Sequence, residues 1–427
     1  MITLALNYDH LYSSMLHWSL TQLGVLMINR RRFLNYMGVS TLALSASGCD
    51  DSPPQYRYNS EDVALLAQQR KLEAAAAGNG PFGVHRYAGY RGLSSLPWFD
   101  LDNLGQLVCN NDSVPMSIDM HAHLGMSVLF KPELDLQLET DRVMHLLDCD
   151  GDSPNCQLDL DIYINGNFSE ENVSKLEKTI VTQGLWGNEV TRTHTIKNLV
   201  KEMNAMRVEQ AVILPIKLGL PFGDDQTELW RAEIGKAEEQ QRLLAGFSIN
   251  PLDNNCIEQM RTHSESGLKL MKLHPVVQKF YPDDPALMKV YEEAQSLGVT
   301  IFFHGGRAGI EAESSHRYAM PRHYEKALRD FPNVKFILGH GGARDVDAML
   351  QLRLKYRNAW LGTHGQGITK LDHIINSTRG KRILFGTDWP FYHIGSSLAK
   401  VLIVTDSASK KSQRFDLLRG NALELIS

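Results

Sequence analysis

Val299-Thr300-Ile301-Phe302-Phe303-His304 follows a helical run from Pro285 to Leu297 with only Gly298 between them. An amphipathic helix feeding an apolar strand is the repeating unit of a parallel sheet, because parallel strands need a crossover and are buried on both faces. The unit repeats in both directions along the chain. Towards the N-terminus, helical runs at 196–206, 227–244 and 256–264 precede apolar strands at 211–215, 246–251 and 268–275. Towards the C-terminus, runs at 322–330, 346–356 and 368–378 precede strands at 334–340, 359–364 and 382–388. Adding the strand at 118–123 gives eight, which predicts an α/β chain closed as a (β/α)8 TIM barrel. An open doubly wound sheet would carry a glycine-rich phosphate turn after an early strand, and none is present.

The strand ends carry the chemistry. His121 and His123 end the first strand, His274 the fourth, His304 the fifth, His340 the sixth, His364 the seventh and Asp388 the eighth. In a barrel all C-terminal strand ends open on one face, so these groups converge there. Residues i and i+2 of a strand share a face, which lets His121 and His123 aim at one point. Packing alone does not account for the set, since buried imidazoles and carboxylates need partners. The pattern points to a metal centre.

Asp119-Met120-His121-Ala122-His123, Lys272-Leu273-His274-Pro275, Tyr281-Pro282-Asp283-Asp284-Pro285, Phe303-His304-Gly305-Gly306, Gly339-His340-Gly341-Gly342, Phe385-Gly386-Thr387-Asp388-Trp389-Pro390 and Gly420-Asn421-Ala422 resemble the amidohydrolase superfamily. The closest branch is the amidohydrolase-2 group, which includes aminocarboxymuconate-semialdehyde decarboxylase-like enzymes and pyrone-dicarboxylate and sugar lactonases. The resemblance spans residues 114–427. It implies that His121, His123, His304 and Asp388 hold one divalent metal, zinc by ligand type with manganese or iron as alternatives. It further implies catalytic roles for Asp388, as proton acceptor and donor, and for His340, which polarises the substrate or assists proton transfer. Lys272 is the strand-four candidate for the carboxylated lysine of two-metal branches, or a substrate contact beside His274. Arg307 is a candidate clamp for a substrate carboxylate, His364 a further substrate contact, and Trp389 a wall of the pocket. The expected reaction is metal-dependent hydrolysis of a lactone, ester or amide in a small carboxylated molecule. The alternatives are non-oxidative decarboxylation and a non-catalytic surface-anchored binding protein.

Composition fits this reading. Lys+Arg 44 against Asp+Glu 49 gives a net charge of −5, which argues against nucleic acid as a partner. A barrel occupies about 250 residues, so the 427 present leave room for additions. Asn29-Arg30-Arg31-Arg32, an apolar run at 36–46 and Ser47-Gly48-Cys49 resemble a twin-arginine export signal ending in a lipidation site at Cys49. The expected organisation is an upstream extension at 1–26, the signal at 27–49, a tether and N-terminal extension with one surface helix at 50–112, and the barrel at 113–427 with an insertion at 124–194. That arrangement implies a periplasmic or membrane-anchored lipoprotein in a bacterial envelope. The insertion follows a ligand-bearing strand, where it would form a lid or an oligomer contact. Cys149 and Cys156 bracket a turn that can close as a disulfide in an oxidising compartment or remain as two thiols. The carboxylates of 148–152 read as a solvated acidic turn, since a calcium loop would need a glutamate at its twelfth position.

Overall fold

The computed structural model describes residues 56–126, 134–151, 156–166, 170–220 and 224–426. The upstream extension, the signal with Cys49 and the first part of the tether lie outside the described residues.

Eight parallel strands form the centre. They are β1 (Ser117–Ala122), β2 (Val208–Ile213), β3 (Leu243–Ala245, continued by Phe247–Ser248), β4 (Leu270–Leu273), β5 (Thr300–Phe303), β6 (Phe336–Leu338), β7 (Ala359–Gly362) and β8 (Ile383–Leu384). Each pairs in parallel with the next. β3 changes partner at Gly246, pairing with β2 before it and β4 after it. A Cβ there would stand 3.0 Å from Leu214 Cδ2 and from the Leu270 carbonyl, so the close approach requires glycine. The ring closes where Met120 N donates to Phe385 O (3.0 Å), Asp388 N to His121 O (2.7 Å) and His123 N to Trp389 O (2.6 Å). This is the expected (β/α)8 barrel.

Side-chain alternation separates two cores. Ile118, Met120, Val212, Leu270, Phe302, Ile337, Trp360 and Leu384 form one cluster drawn from around the ring, with Leu244 of β3 packed against it. Only the barrel lumen lets so many strands meet in this way. Their neighbours Ala211, Ile213, Met271, Leu273, Ile301, Phe303, Phe336, Leu338, Leu361 and Ile383 face the helices in the larger cluster. The last helix, Asn421–Ile426, adds Ala422 and Leu425 to the lumen cluster, and Asn421 Nδ2 donates to the carbonyls of Gly380 and Ile383 at 2.8 Å each. That anchoring gives the Gly420-Asn421-Ala422 motif a structural reason.

The N-terminal extension is more than a surface helix. Ser60–Ala76 starts on a capping box made by Asn59 and Asp62. It then reaches the loops above β5 and β6. Gln69 Nε2 donates to Asp345 Oδ1 (3.2 Å), Arg70 to Gly309 O (2.5 Å), and Glu73 accepts from Arg344 Nε (3.2 Å). Cys149 and Cys156 are joined as a disulfide. The neighbouring acids are not a solvated turn: Asp148 is buried and accepts from Ser396 Oγ (2.6 Å) and Asn165 Nδ2 (2.7 Å), while buried Asp150 pairs with Arg142.

Candidate active site

The alternation that buries Leu270, Phe302, Trp360 and Leu384 in the lumen carries Lys272, His274, His304, His364 and Asp388 to the same face one or two steps later. Two groups do not follow it. Ile118 and Met120 point inwards, so strict alternation would turn His121 and His123 towards the helices. The pairing of β1 with β2 shifts register between Asp119 and Ala122, Ala122 joins the outer core, and the two histidines turn to the mouth. His340 is likewise out of phase with Ile337, and a left-handed backbone (φ 54°) brings it over the mouth.

The result is a compact donor set. His121 Nε2 lies 3.0 Å from His123 Nε2 and 3.5 Å from Asp388 Oδ1, and His123 Nε2 lies 3.2 Å from the same oxygen. All three residues are buried. A cation about 2.0–2.2 Å from each of three ligands spaces them by about 3.0–3.5 Å for octahedral to tetrahedral angles, so the triangle fits one first-row divalent ion. The imidazoles are oriented for it. His123 Nδ1 faces the Leu214 carbonyl (2.6 Å) and His121 Nδ1 faces His364 Nε2 (2.6 Å), which places the N–H on the Nδ1 side and leaves each Nε2 lone pair towards Asp388. Burial, then the nearby imidazoles and Lys272, holds His121 and His340 well below the ordinary histidine range. Neutral imidazoles are what a metal needs.

Lys272 Nζ stands 3.0 Å from His121 Nε2, and burial brings its amine down to about 7 against the opposing pull of Asp388. His304 sits beside the triangle with its ring stacked on His274 (centroids 4.0 Å) and 4.4 Å from that of His340. Its Nε2 faces Glu311 Oε1 at 3.3 Å. This contact occupies the His304 nitrogen, so that His304, an expected ligand, and Glu311 both stand outside the donor triangle. His274 also caps the short helix Pro275–Gln278 through Nδ1 (3.4 Å to Val277 N).

Three expected substrate contacts have partners inside the protein. Arg307 is fully buried, with Nε and Nη2 on the two oxygens of Asp345 (2.8 and 2.5 Å) and Nη1 on the Asp62 carbonyl (2.6 Å). Its charge is neutralised inside the protein by Asp345. Trp389 is fully buried and donates from Nε1 to Glu202 Oε2 (3.2 Å), so it supports the Asp388 loop from beneath. His364 is a brace: its Nε2 meets both His121 Nδ1 and the His340 backbone N–H (3.0 Å).

Other groups had no separate signal in the sequence. Asp119 accepts from the backbone N–H of His121 and of Thr387 (3.0 Å each) and from Thr387 Oγ1 (2.5 Å), tying both ligand-bearing loops to one carboxyl. Burial raises that carboxyl to about 7, against those hydrogen bonds. Its place two residues before His121 in the motif was the available hint. Glu311 is held by the N–H groups of Ala308 and Gly309 and lies 3.6 Å from His316 Nε2. Although burial opposes it, the hydrogen bond from His304 and the nearby His316 imidazole keep it well below the usual carboxylate range. Tyr163, from the insertion, places its hydroxyl 3.0 Å from His340 Nδ1. Nothing local to Tyr163 announces this.

The 2-amino-3-carboxymuconate-6-semialdehyde decarboxylase of Dictyostelium discoideum is 22% identical over 225 residues, covering 44% of this chain and 62% of the relative, so the match spans less than two thirds of that protein. A probable 2-pyrone-4,6-dicarboxylic acid hydrolase from Acinetobacter baumannii, solved with citric acid bound, is 13% identical with a TM-score of 0.45, covering 73% of this chain and 98% of its own. A 2,6-dihydroxybenzoate decarboxylase solved with 2,6-dihydroxybenzoate is 16% identical with a TM-score of 0.47, covering 73% and 98%. The sequence model of the amidohydrolase family matches residues 118–426, from the first barrel strand to the last helix, and the chain belongs to that family.

Proposed function

We propose that the protein is a metal-dependent hydrolase of a lactone, ester or amide bond in a small molecule. The observation that carries this is the division of labour on Asp388. Its Oδ1 completes the donor triangle, while its Oδ2 faces His340 Nε2 at 4.0 Å across the mouth. A divalent ion held by His121, His123 and Asp388 would supply an acidified water and an electrophile for a carbonyl oxygen. Asp388 is placed to accept the water proton and return it to the leaving group. His340 faces the same space and can stabilise charge developing on the substrate oxygen. With Arg307 committed to Asp345, recognition of a substrate carboxylate falls to Lys272.

Non-oxidative decarboxylation is the second reading, favoured by the Dictyostelium relative. The same residues would then orient a carboxylated substrate, with Asp388 or His340 delivering a proton to the carbon that loses carbon dioxide. Purified protein loaded with zinc or manganese, assayed against lactones, esters and aromatic or muconate-like acids, separates the two. Acid release without carbon dioxide is the expected result. Carbon dioxide release with no hydrolysis would replace the first reading by the second.

We also propose that residues 27–49 export the protein and that Cys49 anchors it by a lipid. The Cys149–Cys156 disulfide supports an oxidising compartment. Changing Arg30→Lys and Arg31→Lys together should leave the protein in the cytoplasm. Fractionation that still finds it in the envelope would sink the twin-arginine route.

A further inference from the structure

The insertion is built into the mouth of the barrel. Ile164 N donates to Gly365 O (2.8 Å), Ile368 N to Leu160 O (2.9 Å) and Thr369 N to Asp161 Oδ1 (2.8 Å), so residues 160–164 are fastened to the loop after β7. From the N-terminal helix, Glu73 Oε1 accepts from Tyr163 N (2.7 Å), and Asp161 Oδ2 accepts from Gly78 N (3.0 Å). The Tyr163 ring lies against Gly365, where a Cβ would come within 2.9 Å of the ring and where φ is +81°. The Arg344 guanidinium carbon is 5.2 Å from the ring centroid. Such anchoring fixes the hydroxyl to within the range of one hydrogen bond.

That hydroxyl is 3.0 Å from His340 Nδ1, and among the described residues it has no other hydrogen-bond partner. A phenol carries one hydrogen, and a neutral imidazole carries one hydrogen shared between two nitrogens. If the imidazole hydrogen sat on Nδ1, the buried Tyr163 hydroxyl hydrogen would be left without an acceptor among the described residues, which is costly for a buried group. If Tyr163 donates, both groups are satisfied, and the imidazole hydrogen moves to Nε2, on the side of Asp388. The backbone bearing the ring is held independently, by His340 N on His364 Nε2 (3.0 Å) and by Gln366 Nε2 on His340 O (2.5 Å).

We propose that Tyr163 is a positioning residue that donates to Nδ1 of His340, fixes it as the Nε2–H tautomer, and so makes His340 a hydrogen-bond donor to the substrate, not the base. Base duty then rests on Asp388 alone. The functional consequence rests on the reading of the mouth as the active site. The tautomer itself does not depend on it.

The test uses the whole protein labelled with 15N-histidine, with and without zinc, and long-range proton–nitrogen correlation to assign the His340 signals. The expected wild-type spectrum has an unprotonated Nδ1 and a protonated Nε2. In Tyr163→Phe the Nδ1–H form should appear, and kcat on whichever substrate is found should fall about 10–100-fold with KM within about threefold. 3-Fluorotyrosine at position 163 keeps the donor and should restore both tautomer and rate. A wild-type Nδ1–H tautomer, or a tautomer that Tyr163→Phe leaves unchanged, overturns the proposal. The wild-type measurement alone is decisive if the variant fails to fold. An Nε2–H tautomer in a protein without hydrolase or decarboxylase activity would instead overturn the proposed function and leave the tautomer assignment standing.

Discussion

Asp388→Asn is expected to lower kcat by about 10³-fold while the protein keeps its fold and part of its metal. The size follows from the role: a positioned acid–base group contributes roughly 10²–10⁴. The variant is a clean one for a backbone reason. Asp388 sits at φ 62°, in the left-handed region that asparagine also adopts readily, so the exchange adds no strain of its own. An asparagine oxygen can still take the place of Oδ1 in the triangle with His121 and His123, but it cannot accept and return a proton. Single-turnover rates, circular dichroism and metal analysis on the same preparation check all three statements. A variant within tenfold of wild type would refute the acid–base role.

His121→Ala is expected to remove the metal, with content by mass spectrometry falling at least about tenfold below wild type. His121 is the hub of the site: its Nε2 lies within 3.5 Å of His123, Asp388 and Lys272, and its Nδ1 is braced by His364. Its loss leaves Lys272 beside the two remaining donors, and a buried amine there competes with a cation for the same lone pairs. His274→Ala is the control, because that ring stacks on His304 and stands outside the triangle. It should keep its metal. Full occupancy in His121→Ala, with a normal melting temperature, would rule the triangle out as the metal site. Should His121→Ala prove unstable, His121→Asn preserves more of the packing and reads out the same quantity.

Much of this arrangement is legible along the chain. Helix and strand periods, which are local, reveal eight units and hence a barrel. The same alternation, counted from Leu270, Phe302, Trp360 and Leu384, already sends Lys272, His274, His304, His364 and Asp388 inwards. The motif around His121 and His123 names the ligand pair, but simple alternation from Ile118 and Met120 would have turned both away. Their true direction depends on a register shift against β2, across 90 residues of intervening chain.

What the amino-acid sequence determined by itself was therefore the repeat, the family and the ring of strand-end histidines, because those rest on spacing within single elements. Tertiary structure alone decided which partners the site residues meet. Arg307 looked free until Asp345, 38 residues on, closed over its guanidinium. Trp389 looked like a pocket wall until Glu202 took its N–H from the other side of the loop. Tyr163 had no motif at all, yet the docking of the insertion on Gly365 sets it against His340. A buried polar group is assigned by its partner, and partners brought together by folding leave no periodic trace in the sequence.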